Sequence, residues 1–249
     1  YISELIKRKD LLRRNEVFYT LNEPQGRKIN NSIPKKLLVI FTCMPPKDKY
    51  DNYLIHDRMF TKFFDGIERN LVKNVYIMRI MDLNVSHGSH YINTINYSEY
   101  EQHIQQTILH VKNSLKVDEN NIVFYGVSKG GTGALFHGSI MDKKVLAVDP
   151  ILNIGDKLED NDRRFLKSLR REDLVPEINK NVAQINSKEK YLICSEKVPL
   201  YYEQDMRLDK EKIKIYNKVD KLITSHPEVS RNTIPEQLMI LNILLGGLE

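Results

Sequence analysis

The stretch Ile122-Val123-Phe124-Tyr125-Gly126-Val127-Ser128-Lys129-Gly130-Gly131-Thr132-Gly133-Ala134-Leu135 decides how this chain is read. Its first half is an almost uninterrupted apolar run, the pattern of a strand buried on both faces, and it passes directly into a helical stretch over residues 129–141. Between the two lies Gly-x-Ser-x-Gly. A strand that turns sharply into a helix strains the serine backbone and brings the two elements close together, so the positions two before and two after the serine must be small. Gly126 and Gly130 occupy them. Such a nucleophile elbow lifts the Ser128 hydroxyl above the sheet edge and aims the Lys129 N–H at the group under attack, as a first oxyanion donor. A Gly-rich turn that binds phosphate or merely packs is the other reading of these residues. A Walker A loop is excluded, because no Gly-Lys-Ser/Thr follows at the required spacing.

Outward from the elbow, strands and helices alternate. Residues 37–41, preceded by Pro34, read as a buried strand, 57–70 as a helix and 75–78 as a second strand. Residues 97–115 read as a helix capped by Ser98 with Glu101 three residues on. Further strands are expected at 121–125, 145–148, 190–194 and 213–216, with a closing helix over 234–245. Strands separated by helices call for a mostly parallel, doubly wound α/β sheet covered on both faces, with ligands at the carboxyl ends of its strands. With no repeat and no Gly/Ser- or Pro-rich linker, residues 1–249 are expected to form one domain. Within it, 1–33 are taken as peripheral and 153–186 as a candidate helical cap; its charged part, 158–182, carries Arg163, Arg164, Arg170 and Arg171.

Composition narrows the class. At 249 residues the chain is long enough to bury a core without staples, and 41% hydrophobic with 29% charged residues excludes disordered, collagenous and low-complexity readings. The formal charge of +5 is spread through mixed-sign segments, so no nucleic-acid footprint is read. No apolar run reaches the roughly 20 residues that span a bilayer. Residue 1 is Tyr and the first stretch is charged, so no secretory signal is read and the segment is expected to begin inside a longer chain. Cys43 and Cys194 end apolar runs and read as reduced core-edge residues, which favours a cytoplasmic setting.

An activated serine needs a base and an acid. His226, in Thr224-Ser225-His226-Pro227 between the last strand and the closing helix, is the one histidine far enough downstream for the chain order Ser, acid, His. Glu196, just past the strand at 190–194, is the first choice for the acid that orients it; Asp205 and Asp149 are the alternatives. The second oxyanion donor is sought among the N–H groups of Thr42, Cys43 and Met44. Arg79 and Asp82, at a strand end, read either as a structural ion pair or as groups that bind an anionic or sugar ligand. His87 and His90 lack a third ligand, so neither metal nor cofactor is expected.

The elbow segment 125–133, the Arg79-to-Asp82 strand end, Cys194-Ser195-Glu196-Lys197 and the segment Ser225-His226-Pro227-Glu228-Val229 to Asn232-Thr233 together resemble the XcbB/CpsF family of capsular polysaccharide biosynthesis proteins. More distantly, the chain is similar to the acetyltransferase component of the accessory Sec system. The resemblance spans about residues 37–245 and sets Ser128, Glu196 and His226 at its Ser, Glu and His motifs. It implies an α/β-hydrolase-like fold and work in capsule or surface-glycan assembly, peripheral to a membrane-associated complex. The expectation is a serine-dependent esterase or O-acyltransferase acting on a capsular or surface carbohydrate, an acylated glycan among its substrates. The alternative is a non-catalytic glycan-binding or scaffold protein that keeps the fold.

Overall fold

The computed structural model describes residues 9–25, 30, 32–59, 61, 63–153 and 171–247. Eight strands form one sheet in the order β1-β2-β4-β3-β5-β6-β7-β8. They are β1 (Leu11–Arg14), β2 (Val17–Asn22), β3 (Lys36–Phe41), β4 (Val75–Met81), β5 (Ile122–Val127), β6 (Lys144–Val148), β7 (Lys190–Cys194) and β8 (Lys214–Asn217). From β4 to β8 all neighbours are parallel, whereas β1 and β2 form an antiparallel hairpin that joins β4.

The central strands are apolar throughout because both faces are covered, and the pleat sends alternate residues to two cores. Leu37, Val39 and Phe41 point to one layer with Phe124, and Leu38 and Ile40 to the other with Val123 and Tyr125. The first layer is closed by α2 (Tyr100–Leu115), α3 (Lys129–Ile140) and α4 (Val175–Gln184) through Ile104, Ile108, Phe136, Ile178 and Val182. The second is closed by α7 (Ile234–Gly246) through Ile240, Leu241, Leu244 and Leu245. Short helices α1 (Ile55–Met59), α5 (Pro199–Asp205) and α6 (His226–Arg231) complete the described α-helices.

Several expectations are corrected. The N-terminal segment is not peripheral where it is described: β1 and β2 extend the sheet, and Val17 and Tyr19 are buried in the core. The helix expected over 57–70 is broken into α1 and a 3-10 turn, Ile67–Asn70. Phe64 at φ +54° and Gly66 at φ +82° lie between the two, in a left-handed backbone through which a right-handed helix cannot continue. No side chain of Ser98 caps α2; instead Asn93 and Glu101 bond reciprocally, Asn93 N–H donating to Glu101 Oε1 (2.7 Å) and Glu101 N–H to Asn93 Oδ1 (2.8 Å). Of the candidate cap, 154–170 lie outside the described residues, Arg163, Arg164 and Arg170 among them. In the part that is described, α4 buries Val175, Ile178 and Val182, and Arg171 pairs with Glu101 and Glu177 while lying over the Phe136 ring.

Candidate active site

The turn between β5 and α3 has the strained geometry its glycines predict. Ser128 sits at φ +55°, ψ −124°, and its N–H is tied to Val148 O at 2.9 Å. A Cβ on Gly126 would meet Gly130 O at 2.1 Å, and one on Gly130 would meet Phe41 O at 2.0 Å. The start of α3 is thus pressed against both its own strand and the end of β3. Gly126→Ala is therefore expected to cost roughly 1–3 kcal/mol, because the obstacle is backbone and cannot swing aside. Urea unfolding of the purified variant measures it, and an unchanged midpoint would contradict this packing.

Across the sheet top, α6 begins at His226. The loop before it is held by Glu228, whose carboxylate accepts from Thr224 N–H (2.7 Å) and Thr224 Oγ1 (2.8 Å). His226 Nε2 lies 2.7 Å from Ser128 Oγ and Nδ1 2.5 Å from Asp149 Oδ2. A carboxylate only accepts, so Nδ1–H donates to Asp149 and Nε2 is left to accept the serine O–H. Asp149 follows β6 at φ +44°, its N–H donating to Ile193 O at 2.7 Å. Thr132 on α3 bonds Ile151 in both directions, which fixes the chain just past Asp149. Burial pushes the Asp149 carboxyl above the usual aspartate range, and the bond and charge of His226 oppose that rise. Tyr201 of α5 lays its ring 4.3 Å from the imidazole and packs with Met44 and Ile151 into a small apolar patch; burial pushes its hydroxyl up to about 12.

Of the residues singled out by sequence, Ser128 and His226 are brought together and Glu196 is not. Glu196 is exposed, its carboxylate accepting from Asn217 Nδ2 at 2.8 Å, while the ring nitrogen it was expected to orient faces Asp149. The reason is the order of the strands: β6 lies next to the elbow strand, so Asp149 just past it reaches His226 Nδ1, whereas Glu196, just past β7, turns its carboxylate to Asn217 at the end of β8. Thr42 is also corrected as an oxyanion donor, since its N–H is spent on Ile80 O at 3.3 Å. Lys129 N–H, at the first position of α3, has no earlier helical carbonyl to meet. Cys43 follows Thr42 beside the elbow. Burial pushes its thiol up to about 11, so it stays protonated at neutral pH. Burial likewise raises the Cys194 thiol, and both cysteines are free.

Arg79 and Asp82 are both buried, and they do not pair with each other. Arg79 donates to Phe63 O, Phe64 O and Asn22 Oδ1, each at 3.0 Å, and so pins a loop and a strand to the sheet. Asp82 is fully buried, accepting from Tyr91 N–H and Tyr100 Oη and facing Lys129 Nζ at 3.6 Å. His87 lies 2.8 Å from Tyr50 O and 2.9 Å from Ser86 Oγ. Among the described residues, no group of three His, Cys, Asp or Glu side chains is arranged to hold a metal, and no helix is long and apolar enough to cross a membrane.

This arrangement sits on a fold shared with known structures. The chain is similar to a ferulic acid esterase (TM-score 0.64, 14% identity, covering 92% of this chain and 93% of that one). It is similar to the capsule O-acetyltransferase of Neisseria meningitidis serogroup A (TM-score 0.62, 16% identity, 93% and 94%). A third likeness is to the Glycosylation Associate Protein (Gap123) complex from Streptococcus agalactiae, at TM-score 0.63 and 16% identity; it covers 92% of this chain but only 45% of that one. At these identities the likeness is one of fold, which is α/β-hydrolase-like. No curated protein matches the sequence. A family profile described as "Accessory Sec system GspB-transporter" matches residues 60–190, just over half of the chain and the span that holds β4, the elbow and Asp149. By that match, which agrees with the more distant of the two resemblances read from its motifs, the chain belongs to the accessory Sec system GspB-transporter family.

Proposed function

We propose that the protein is a serine-dependent acyl-transfer enzyme, an esterase or O-acyltransferase, whose substrate is a capsular or surface carbohydrate. One observation carries the reading: the unbroken line from Ser128 Oγ through His226 to Asp149 Oδ2, at 2.7 and 2.5 Å, on a strained elbow. As Ser128 Oγ attacks an ester or thioester carbonyl, its proton passes to His226 Nε2, and the imidazolium that forms is stabilised by Asp149. The oxyanion is received by Lys129 N–H and by a second N–H from Cys43 or Met44. His226 then returns the proton to the departing alcohol or thiol, leaving the acyl group on Ser128. Water or a sugar hydroxyl, deprotonated by the same His226, completes the cycle.

Support for the carbohydrate side comes from the resemblance to XcbB/CpsF proteins and from the fold shared with a capsule O-acetyltransferase. A second reading, a non-catalytic glycan-binding component, is favoured by the likeness to part of a Gap123 chain and predicts partner proteins. Supplying an activated acetyl ester with and without capsule oligosaccharide, and measuring free acetate and acetylated sugar, separates the outcomes. Acylated sugar formed at the expense of acetate is expected for a transferase. Acetate release unaffected by any oligosaccharide marks an esterase, and no turnover under either condition overturns the enzymatic reading.

A further inference from the structure

Asp205 ends α5 with its side chain completely buried, and neither carboxyl oxygen has a hydrogen-bond partner. A carboxylate in that position would have neither donor nor cation to offset its lost hydration, so burial favours the protonated form. The titratable groups set against it are Asp149 after β6 and the Cys194 thiol at the end of β7, and neither brings positive charge. Burial, with the charge of Asp149 second, holds the Asp205 carboxyl well above the usual aspartate range.

The placement ties this acid to the candidate site. The bond from Asp149 N–H to Ile193 O lays Asp149 beside Cys194, on the strand against which α5 packs. Asp149 gives Oδ2 to His226, while its Oδ1 is buried without a partner. The same seven-residue helix carries Tyr201 against the His226 ring. One short element therefore carries Tyr201 against the imidazole and, at its end, Asp205, whose carboxyl feels the charge of Asp149.

We propose that Asp205 is a second, proton-holding carboxylic acid of the site, a positioning residue whose O–H serves the open Oδ1 of Asp149 through a bridging water. No direct hydrogen bond joins the two carboxyls. Asp149 Oδ1 would give such a water an acceptor and the Asp205 O–H a donor, the two polar partners that a buried water needs at least. Held neutral, Asp205 leaves Asp149 as the single negative charge behind His226; ionised, it would set a like charge beside it and disfavour the carboxylate that the imidazolium needs.

Three readouts on the whole chain test this, and only the last rests on the proposed function. Infrared spectroscopy at pH 7 should show a protonated-carboxyl band that disappears in Asp205→Asn. Urea unfolding across pH follows from linkage: the folded-state pKa is raised above the unfolded value near 4, so this group's contribution is whole below about pH 4 and is lost as pH climbs toward the folded value. The wild-type folding constant should accordingly fall about tenfold per pH unit above 4 relative to Asp205→Asn. Absence of the band together with parallel stability curves would overturn the neutral acid. For positioning, Asp205→Leu, which keeps bulk but has no donor, should slow fluorophosphonate labelling of Ser128 roughly tenfold, the size of one lost hydrogen bond to a charged group. Asp205→Asn, which keeps an N–H, should recover much of that loss. Equal labelling rates in wild type and a folded Asp205→Leu would overturn the positioning role. A wild type that takes up no label at all would instead count against the proposed function, while the infrared and stability readouts still judge Asp205.

Discussion

Replacing Ser128 by Ala is expected to abolish fluorophosphonate labelling and to lower turnover of an activated acetyl ester by roughly 10⁴- to 10⁶-fold, the range seen when a triad nucleophile is removed. The fold should survive. The hydroxyl bonds His226 and contributes little packing, and the strained backbone at φ +55° is held by Val148 O and by the contacts of Gly126 and Gly130 rather than by the side chain. An unchanged or slightly raised midpoint in urea, together with the lost activity, is the full expected result. A folded Ser128→Ala protein with wild-type turnover of its substrate would remove the acyl-enzyme from the mechanism.

Asp149→Asn should cost nearly as much, on the order of 10⁴-fold in turnover, although it changes a single atom. An amide at that position presents either a donor to a nitrogen that already donates or a much weaker acceptor. The imidazole then favours the tautomer with its proton on Nε2, where it cannot accept from Ser128. Glu196→Gln, by contrast, touches a carboxylate exposed to solvent and bonded to Asn217, and its effect should stay within a few-fold, the scale of an exposed polar contact. Steady-state rates of the two variants on the same acetyl ester decide between the carboxylates. A severe loss in Glu196→Gln beside an active Asp149→Asn would return the acid's role to Glu196 and leave Ser128 and His226 in place.

The contrast between these carboxylates shows how far local pattern reaches. Gly126-x-Ser128-x-Gly130 was readable because its demands are steric and confined to one turn. The apolar runs of β3, β5 and β6 were readable because a strand covered on both faces has no polar residues to interrupt it. His226 followed from chain order. The hairpin of β1 and β2 escaped notice because β1 is mostly exposed, and the burial of Val17 and Tyr19 comes from pairing with β4, far along the chain. The helix expected over 57–70 had apolar residues at the right spacing, but periodicity does not register the left-handed backbone at Phe64 and Gly66.

By itself, then, the sequence determined the elbow, the alternation that makes the sheet parallel, and the serine and histidine that face each other across it; each depends on residues near one another in the chain or on their order. Only the tertiary structure decided which carboxylate meets His226, that Thr42 N–H is already spent on Ile80 O, and that Arg79 and Asp82 are internal braces. Three acids stood at or beyond strand ends, and nothing local distinguishes them. What does is the lateral order of the sheet, which puts β6 against the elbow strand, so that Asp149 meets His226 Nδ1 while Glu196, past β7, turns to Asn217 in solvent.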